Sequence, residues 1–399
     1  MTERRRWAIL AVGTFAQATT CSFLYGIPML VPALHDKDGL TLVQASLLVS
    51  APIVGLLLTL IAWGALADRF GERVVIAAGV GGSGVLLATV AAVRGPVAIG
   101  VLLALAGAAA ASVNAASGRV VMGWFPVGER GLAMGTRQTA QPFGVALAAL
   151  VLPPLADGVG AREALLFPAA LCVLAAILTV AVVRDPARPV RVPGEAPPAS
   201  PYRGSATLVR THMASALLVI PQFAVATFTL TYLVTQRHWD APVAGRWIFA
   251  FQAAGALGRI GSGVWSDRVG SRLRPMRTLA VASAAVLGAI ALGALLGAGW
   301  IVVGFALGAV VTVADNGLAY TAVAETAGPA WSGRALGVQN TVQNIAAVAT
   351  APLLAAVIGD SRYALAFAVA AIAPVLAVRL IPVRSEERLN AQVKDLARR

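Results

Sequence analysis

Charge is what this sequence lacks most. Only 12% of its 399 residues are Asp, Glu, Lys or Arg, while 58% are hydrophobic. The mean hydropathy is +0.79. A soluble domain carries about 25% charged residues, so so little charge excludes a water-exposed globule and leaves a membrane protein. Cysteine is nearly absent. Cys21 and Cys172 both lie in apolar runs, which excludes a disulfide framework or a thiolate metal site. Histidine is confined to His35, His212 and His238, all at segment ends. No catalytic triad, metal cluster or nucleotide motif stands out. The glycine-rich stretch from Gly79 to Gly84 lacks the Lys-Ser/Thr ending of a phosphate loop and lies in an apolar run. Neither an enzyme nor a bound cofactor is expected.

What is present is a series of apolar runs. Twelve are legible, at 7–33, 41–65, 74–93, 97–121, 132–156, 164–183, 208–234, 242–264, 278–297, 300–324, 335–358 and 363–383. Each is long enough to cross a hydrocarbon core of about 30 Å. The first run is too long for the core of a signal peptide and reads as an uncleaved helix. The net charge of +13 suggests nucleic acid until its placement is followed. With the N-terminus inside, cytoplasmic segments hold 22 of the basic residues and the opposite loops five: Lys37, Arg94, Arg162, Arg237 and Arg362. That bias predicts both termini in the cytoplasm and makes the excess charge a matter of topology and lipid attraction, with no nucleic-acid partner. The preference for Arg over Lys and the abundance of Ala point to a GC-rich bacterial genome, and the expected location is the cell membrane.

A Pro- and Arg-rich stretch at 184–206 divides the chain. The expected organisation is a six-helix bundle at 1–183, this cytoplasmic linker, a second bundle at 207–383 and a cytoplasmic tail at 384–399. The halves are repeats. Gly64-Ala65-Leu66-Ala67-Asp68-Arg69-Phe70-Gly71-Glu72-Arg73 returns, shifted by 199 residues, as Gly263-Val264-Trp265-Ser266-Asp267-Arg268-Val269-Gly270-Ser271-Arg272. Residues 130–141 lie on 332–343 with a shift of 202, which also places Asn114 on Asn316. Six is an even number of crossings, so the repeats run parallel about an axis normal to the membrane.

The turn Gly64-x-Leu66-Ala67-Asp68-Arg69-x-Gly71-x-Arg73 resembles the signature loop of the major facilitator superfamily, and its second copy falls between the eighth and ninth helices, where that family carries one. The resemblance covers about residues 7–383. It implies an all-α membrane fold of twelve transmembrane helices in two six-helix repeats, working by alternating access. It also implies that Asp68, Arg69 and Arg73, with Asp267, Arg268 and Arg272, latch the cytoplasmic side. Glu72 departs from the basic residue usual at that position. The residues themselves allow such a role. Gly64, Gly71, Gly263 and Gly270 permit tight turns and close approach, the aspartates can face helix N-termini, and the arginines can pair with acids such as Glu129 and Glu325.

Charges inside a membrane are functional candidates. Of the acids, only Asp315 lies well inside an apolar run, about 13 Å from its cytoplasmic end. Proton coupling, a salt bridge to a substrate-site arginine and a structural ion pair are all open to it. Arg259 and Arg137 lie about 8 Å inside the boundary, as anion ligands or as snorkelling cations. Arg119 reads as a headgroup anchor. The pattern Gly258-Arg259-x-x-x-Gly263-x-x-x-Asp267 resembles the eighth helix of oxalate/formate and monocarboxylate transporters, which implies anion contact for Arg259. Gln138 and Gln141, and Asn340, Gln343 and Asn344, share helical faces. With Gln17, Tyr25, Asn114, Gln222, Tyr232, Gln252 and Asn316 they form a candidate polar cavity, or an interhelical packing layer.

The expectation is a secondary active transporter, monomeric in its bilayer, that moves a small polar solute, with a lean towards organic anions and a proton as the candidate coupling ion. Drug or metabolite efflux by proton antiport is the alternative. It is disfavoured because the antiporter arginine is missing between Leu103 and Ala111, and because the fifth-helix Gly-Pro motif is reduced to Gln141-Pro142-Phe143-Gly144. A non-transporting solute receptor is the reading from another class.

Overall fold

The computed structural model describes residues 3–186, 199–203, 205–359 and 361–387. Most of the linker and tail expected at 184–206 and 384–399 lies outside the described residues. Among them the chain forms twelve long helical segments. These are α1 (Glu3–Leu30), α2 (Leu42–Phe70), α3 (Glu72–Ala92), α4 (Pro96–Trp124), α5 (Val127–Val159) and α6 (Ala161–Val182). The second set is α7 (Thr207–Thr235), α8 (Ala241–Val269), α9 (Leu273–Leu296), α10 (Ile301–Ala327), α11 (Ser332–Ile358) and α12 (Tyr363–Leu380). Eleven helices are long and apolar enough to cross a membrane. The remaining one, α8, has the length but carries Arg246, Gln252 and Arg259 among its apolar residues.

Local chemistry sets the boundaries. Thr41 and Gln44 form a capping box at the start of α2, with bonds of 3.2 and 3.0 Å. Pro96 occupies the first turn of α4, where its missing N–H costs nothing. Basic residues opposite the motif end cap helix carbonyls. Lys37 donates to Asp157 O at 2.8 Å, Arg162 to Val93 O at 3.1 Å and Arg237 to Gly297 O at 2.6 Å.

Four segments are interrupted rather than continuous, and one of them, α6, breaks at Leu165. In α1 the helix ends at Leu24 and resumes as a 3-10 turn, Ile27–Leu30. In α5 it breaks at Thr139, and in α10 at Asp315. Such breaks are tolerated at membrane depth only where protein or a cavity satisfies the backbone.

The chain resolves into two compact units. Unit 1 holds Met1–Phe125, Arg137–Pro197 and Gly328–Thr341; unit 2 holds Pro126–Thr136, Pro198–Ala327 and Val342–Arg399. Each unit therefore includes the start of one helix from the other sequence half. In unit 1, α4 packs on α2, α3 and α1, and α6 on α3 and α1. In unit 2 the same pairings recur as α10 on α8, α9 and α7, and α12 on α9 and α7. Unit 1 is cored by Leu56, Leu60, Val80, Leu87 and Leu103. Unit 2 is cored by Phe305, Phe367, Tyr232, Leu287 and Ile290. Backbone contact replaces side chains where α2 crosses α4, since a Cβ on Gly55 would collide with Ala104 O. Gly255, one repeat later, meets Ala309 O in the same way.

Candidate functional site

The two signature turns are built alike. Asp68, in the last turn of α2, accepts the Gly333 and Arg334 amides at 3.0 and 3.2 Å. These are the exposed N–H groups of the first turn of α11, where a helix favours negative charge. In unit 2, Asp267 accepts the Gly131 and Leu132 amides at 2.9 and 2.8 Å, at the start of the helical part of α5. Glycine is required at both crossings. A Cβ on Gly64 would strike Gly333 O, and one on Gly263 would strike Gly131 O.

The aspartates are held by arginines of different origin. In unit 1, Arg119 of α4 bridges Asp68 at 2.6 Å and Glu72 at 2.9 Å. Arg119 is only 7% exposed, which corrects the headgroup-anchor expectation: two buried carboxylates claim it. In unit 2 the motif supplies the base. Arg272 binds Asp267 and Ser266, and reaches Glu325 of α10 at 3.2 Å. Burial opposes its charge, but Glu325 and Asp267 outweigh that and hold the guanidinium above its ordinary value. Arg130 adds a second contact to Glu325 at 3.4 Å.

The other motif arginines do something else. Arg73 sends its guanidinium to Val180 O at 2.6 Å, capping α6 rather than pairing with an acid. Arg69 lies over the Phe70 ring at 5.1 Å, and Arg268 is exposed. Two acids invisible in the motif complete the turns. Asp185, after α6, accepts the Arg73 amide at 2.8 Å, and Glu386, after α12, accepts the Arg272 amide at 2.6 Å. Their similar distances from the two motifs, 112 residues from Arg73 and 114 from Arg272, were the available signal.

Deeper in each unit lies a polar layer, and the repeat extends to its hydrogen bonds. Gln17 of α1 donates to Asn114 of α4 at 3.4 Å, and Asn316 of α10 donates to Gln222 of α7 at 2.8 Å. Unit 1 adds Arg137, 1% exposed. Its guanidinium donates to Ser117 Oγ at 2.7 Å, Asn114 O at 3.3 Å and Gln138 Oε1 at 3.3 Å. Asn340 donates to Asn114 O at 3.1 Å. Unit 2 adds Gln343, which donates to Ser215 at 2.6 Å and Asn316 at 3.4 Å. Gln141 and Asn344 are half-buried, and Gln252 is exposed on α8. Tyr232 is not in this layer. It packs edge-on against Phe305 and Tyr363, at 5.6 and 5.3 Å, in the apolar core. Tyr25 likewise packs against the core of unit 1.

Unit 2 has one feature with no counterpart in unit 1. Asp315 interrupts α10, is 2% exposed, and its Oδ2 has no hydrogen-bond partner among the described residues. Arg259 of α8, 5% exposed, is a buried cation of the same unit whose charge reaches Asp315. Snorkelling to headgroups is thereby replaced, for both Arg259 and Arg137, by burial inside a helical unit. Among the described residues no group of His, Cys, Asp and Glu has the arrangement of a metal site.

A duplicated, polytopic helical protein with paired acid-to-amide turns and buried polar layers is a solute carrier in architecture. The sequence model of the Major Facilitator Superfamily matches residues 10–351, and the chain belongs to that family. It is 46% identical over 380 residues to an MFS-type transporter of Mycobacterium tuberculosis strain H37Rv, covering 95% of this chain and 85% of the relative. A relative from strain CDC 1551 is 45% identical over the same span. Among solved structures, the fold resembles FucP in the outward conformation, with TM-score 0.73 and 15% identity, over 94% of this chain and 98% of that one. The proton:xylose symporter XylE gives 0.74 at 12% identity, over 95% of each chain. The human organic anion transporter MFSD10 gives 0.69 at 17% identity, over 96% and 100%. The protein is therefore a multi-pass membrane transporter of the secondary type, not an enzyme.

Proposed function

We propose that the protein carries a small organic anion together with a proton, by alternating access. The observation that carries this reading is Asp315, buried in α10 with Oδ2 lacking a hydrogen-bond partner among the described residues, in the same unit as the buried Arg259. A carboxylate buried at membrane depth with an open acceptor oxygen is costly unless it binds something. While Asp315 is ionised, Arg259 is its counter-charge. When Asp315 takes a proton, that guanidinium is released to grip a carboxylate or phosphate in two-point geometry. Anion and proton then bind together, which is symport. The fold neighbours include sugar carriers and an organic anion transporter, so the fold alone does not select the solute.

In this reading the motif end faces the cytoplasm, as the placement of basic residues supports. The two aspartate–amide clasps are the closed cytoplasmic latch, and their release opens the solute path inward. Reconstituted into liposomes, the wild-type protein should take up its solute faster with an acidic exterior. Asp315→Asn should transport at a rate insensitive to the gradient. Full pH-dependent transport by that variant excludes coupling through Asp315.

A further inference from the structure

The repeat offers an internal comparison at the start of α3 and α9. In unit 2, Ser271 precedes the capped helix. Its hydroxyl donates to Glu386 Oε2 at 2.5 Å, while the other Glu386 oxygen accepts the Arg272 amide. In unit 1 the capping acid is Asp185, and the residue in the place of Ser271 is Glu72. The Glu72 carboxyl interacts electrostatically with Asp185, whose Oδ1 accepts the Arg73 amide and whose Oδ2 lies against Gly71. A serine brings the hydrogen for that bond with it. A glutamate brings one only when its carboxyl is protonated. Glu72 is fully buried, and Asp185 Oδ2 is seated where a Cβ on Gly71 would be.

We propose that Glu72 is a proton-binding site that sets the strength of the Asp68 clasp, an inference that rests on reading that clasp as the cytoplasmic latch. With a proton on Glu72, its carboxyl donates to Asp185 and Arg119 is left to Asp68. Without it, two carboxylates meet at the joint of α2, α3 and α6, and Arg119 is drawn from Asp68 towards Glu72. Opening the joint to water relieves that opposition, so loss of the proton favours the open latch, and opening releases a proton. The charged groups around Glu72 are consistent with this. Arg119 from α4 is in ionic contact with it at 2.9 Å. Asp68 of α2 shares that cation. Arg334 of α11 lies 3.6 Å from Asp68, Arg69 rests on Phe70, and Arg73 and Arg184 both donate to Val180 O.

The test needs no knowledge of the solute. Spin labels on Val74→Cys and Ala330→Cys, both exposed and both in unit 1, report the clasp in full-length protein in phospholipid nanodiscs, with Cys21 and Cys172 replaced by alanine. The open-to-closed ratio should rise with pH, by at most about tenfold per unit, the limit for one proton. Glu72→Ser, which copies the unit 2 arrangement, and Glu72→Gln should both abolish that slope and stay closed. If both variants keep the wild-type pH profile, the proton site is wrong although the latch stands. If no closed population is seen at any pH in the wild type, the latch reading itself fails and takes this inference with it.

Discussion

Replacing Asp68 by asparagine removes one charge and almost no volume. Asp68 accepts two helix amides, at 3.0 and 3.2 Å, and an arginine at 2.6 Å. Asparagine keeps one acceptor oxygen. Its NH2 group must then face either the Arg334 amide or Arg119, and neither accepts. A hydrogen bond to a charged group contributes about 1.5–3 kcal/mol, and leaving a buried ionic partner alone costs about 3–5 kcal/mol. Part of that loss is shared with the open state, where Arg119 still has Glu72. The net weakening of the clasp should be about 2–4 kcal/mol, or roughly 30- to 1,000-fold in the closed-to-open ratio. The label pair at Val74 and Ala330 measures it directly, and gel filtration in detergent checks that the protein inserts and folds. Transport should fall while expression holds. A closed population within about twofold of wild type would refute the claim that Asp68 holds α11 by charge.

Three further outcomes follow from the same geometry. Gly263→Ala puts a methyl group against Gly131 O and should lower the closed population of the second clasp at least about tenfold, read by spin labels placed across that clasp within unit 2, whereas Gly288→Ala, with open space around it, should be silent there. Arg137→Lys cannot reproduce three donors fixed to Ser117, Asn114 and Gln138, and should lose about 1–3 kcal/mol of stability, read as a drop in thermal midpoint by tryptophan fluorescence. Gln222→Leu strands one amide of Asn316 and should cost only about 0.6 kcal/mol, since such bonds are weak in membranes; a loss of several kcal/mol would mean that the layer holds more than packing.

Much of this architecture is legible in the residues because membranes impose simple rules. Length and apolarity gave the spans, and the repeated Gly-Asp-Arg-Gly-Arg turn gave the duplication, since a tight charged turn leaves a sequence trace. Partner identity leaves none. Arg119 looks like any cation near a helix end, and only the fold reveals that Asp68 and Glu72 converge on it. Tyr232 has a polar tip, but its ring decides its place among Phe305 and Tyr363. The break in α10 at Asp315 escapes periodicity because apolar residues continue on both sides. The pairing of Gln17 with Asn114, repeated by Gln222 with Asn316, joins residues about a hundred positions apart and needs helices packed to be seen.

The most direct test of the central claim is uptake by proteoliposomes across a panel of labelled solutes, with and without an acidic exterior. The account predicts that a carboxylate is accumulated, that other carboxylates compete, and that the gradient accelerates entry through Asp315. Competition by cationic drugs and none by carboxylates, or uptake indifferent to the gradient, would contradict it.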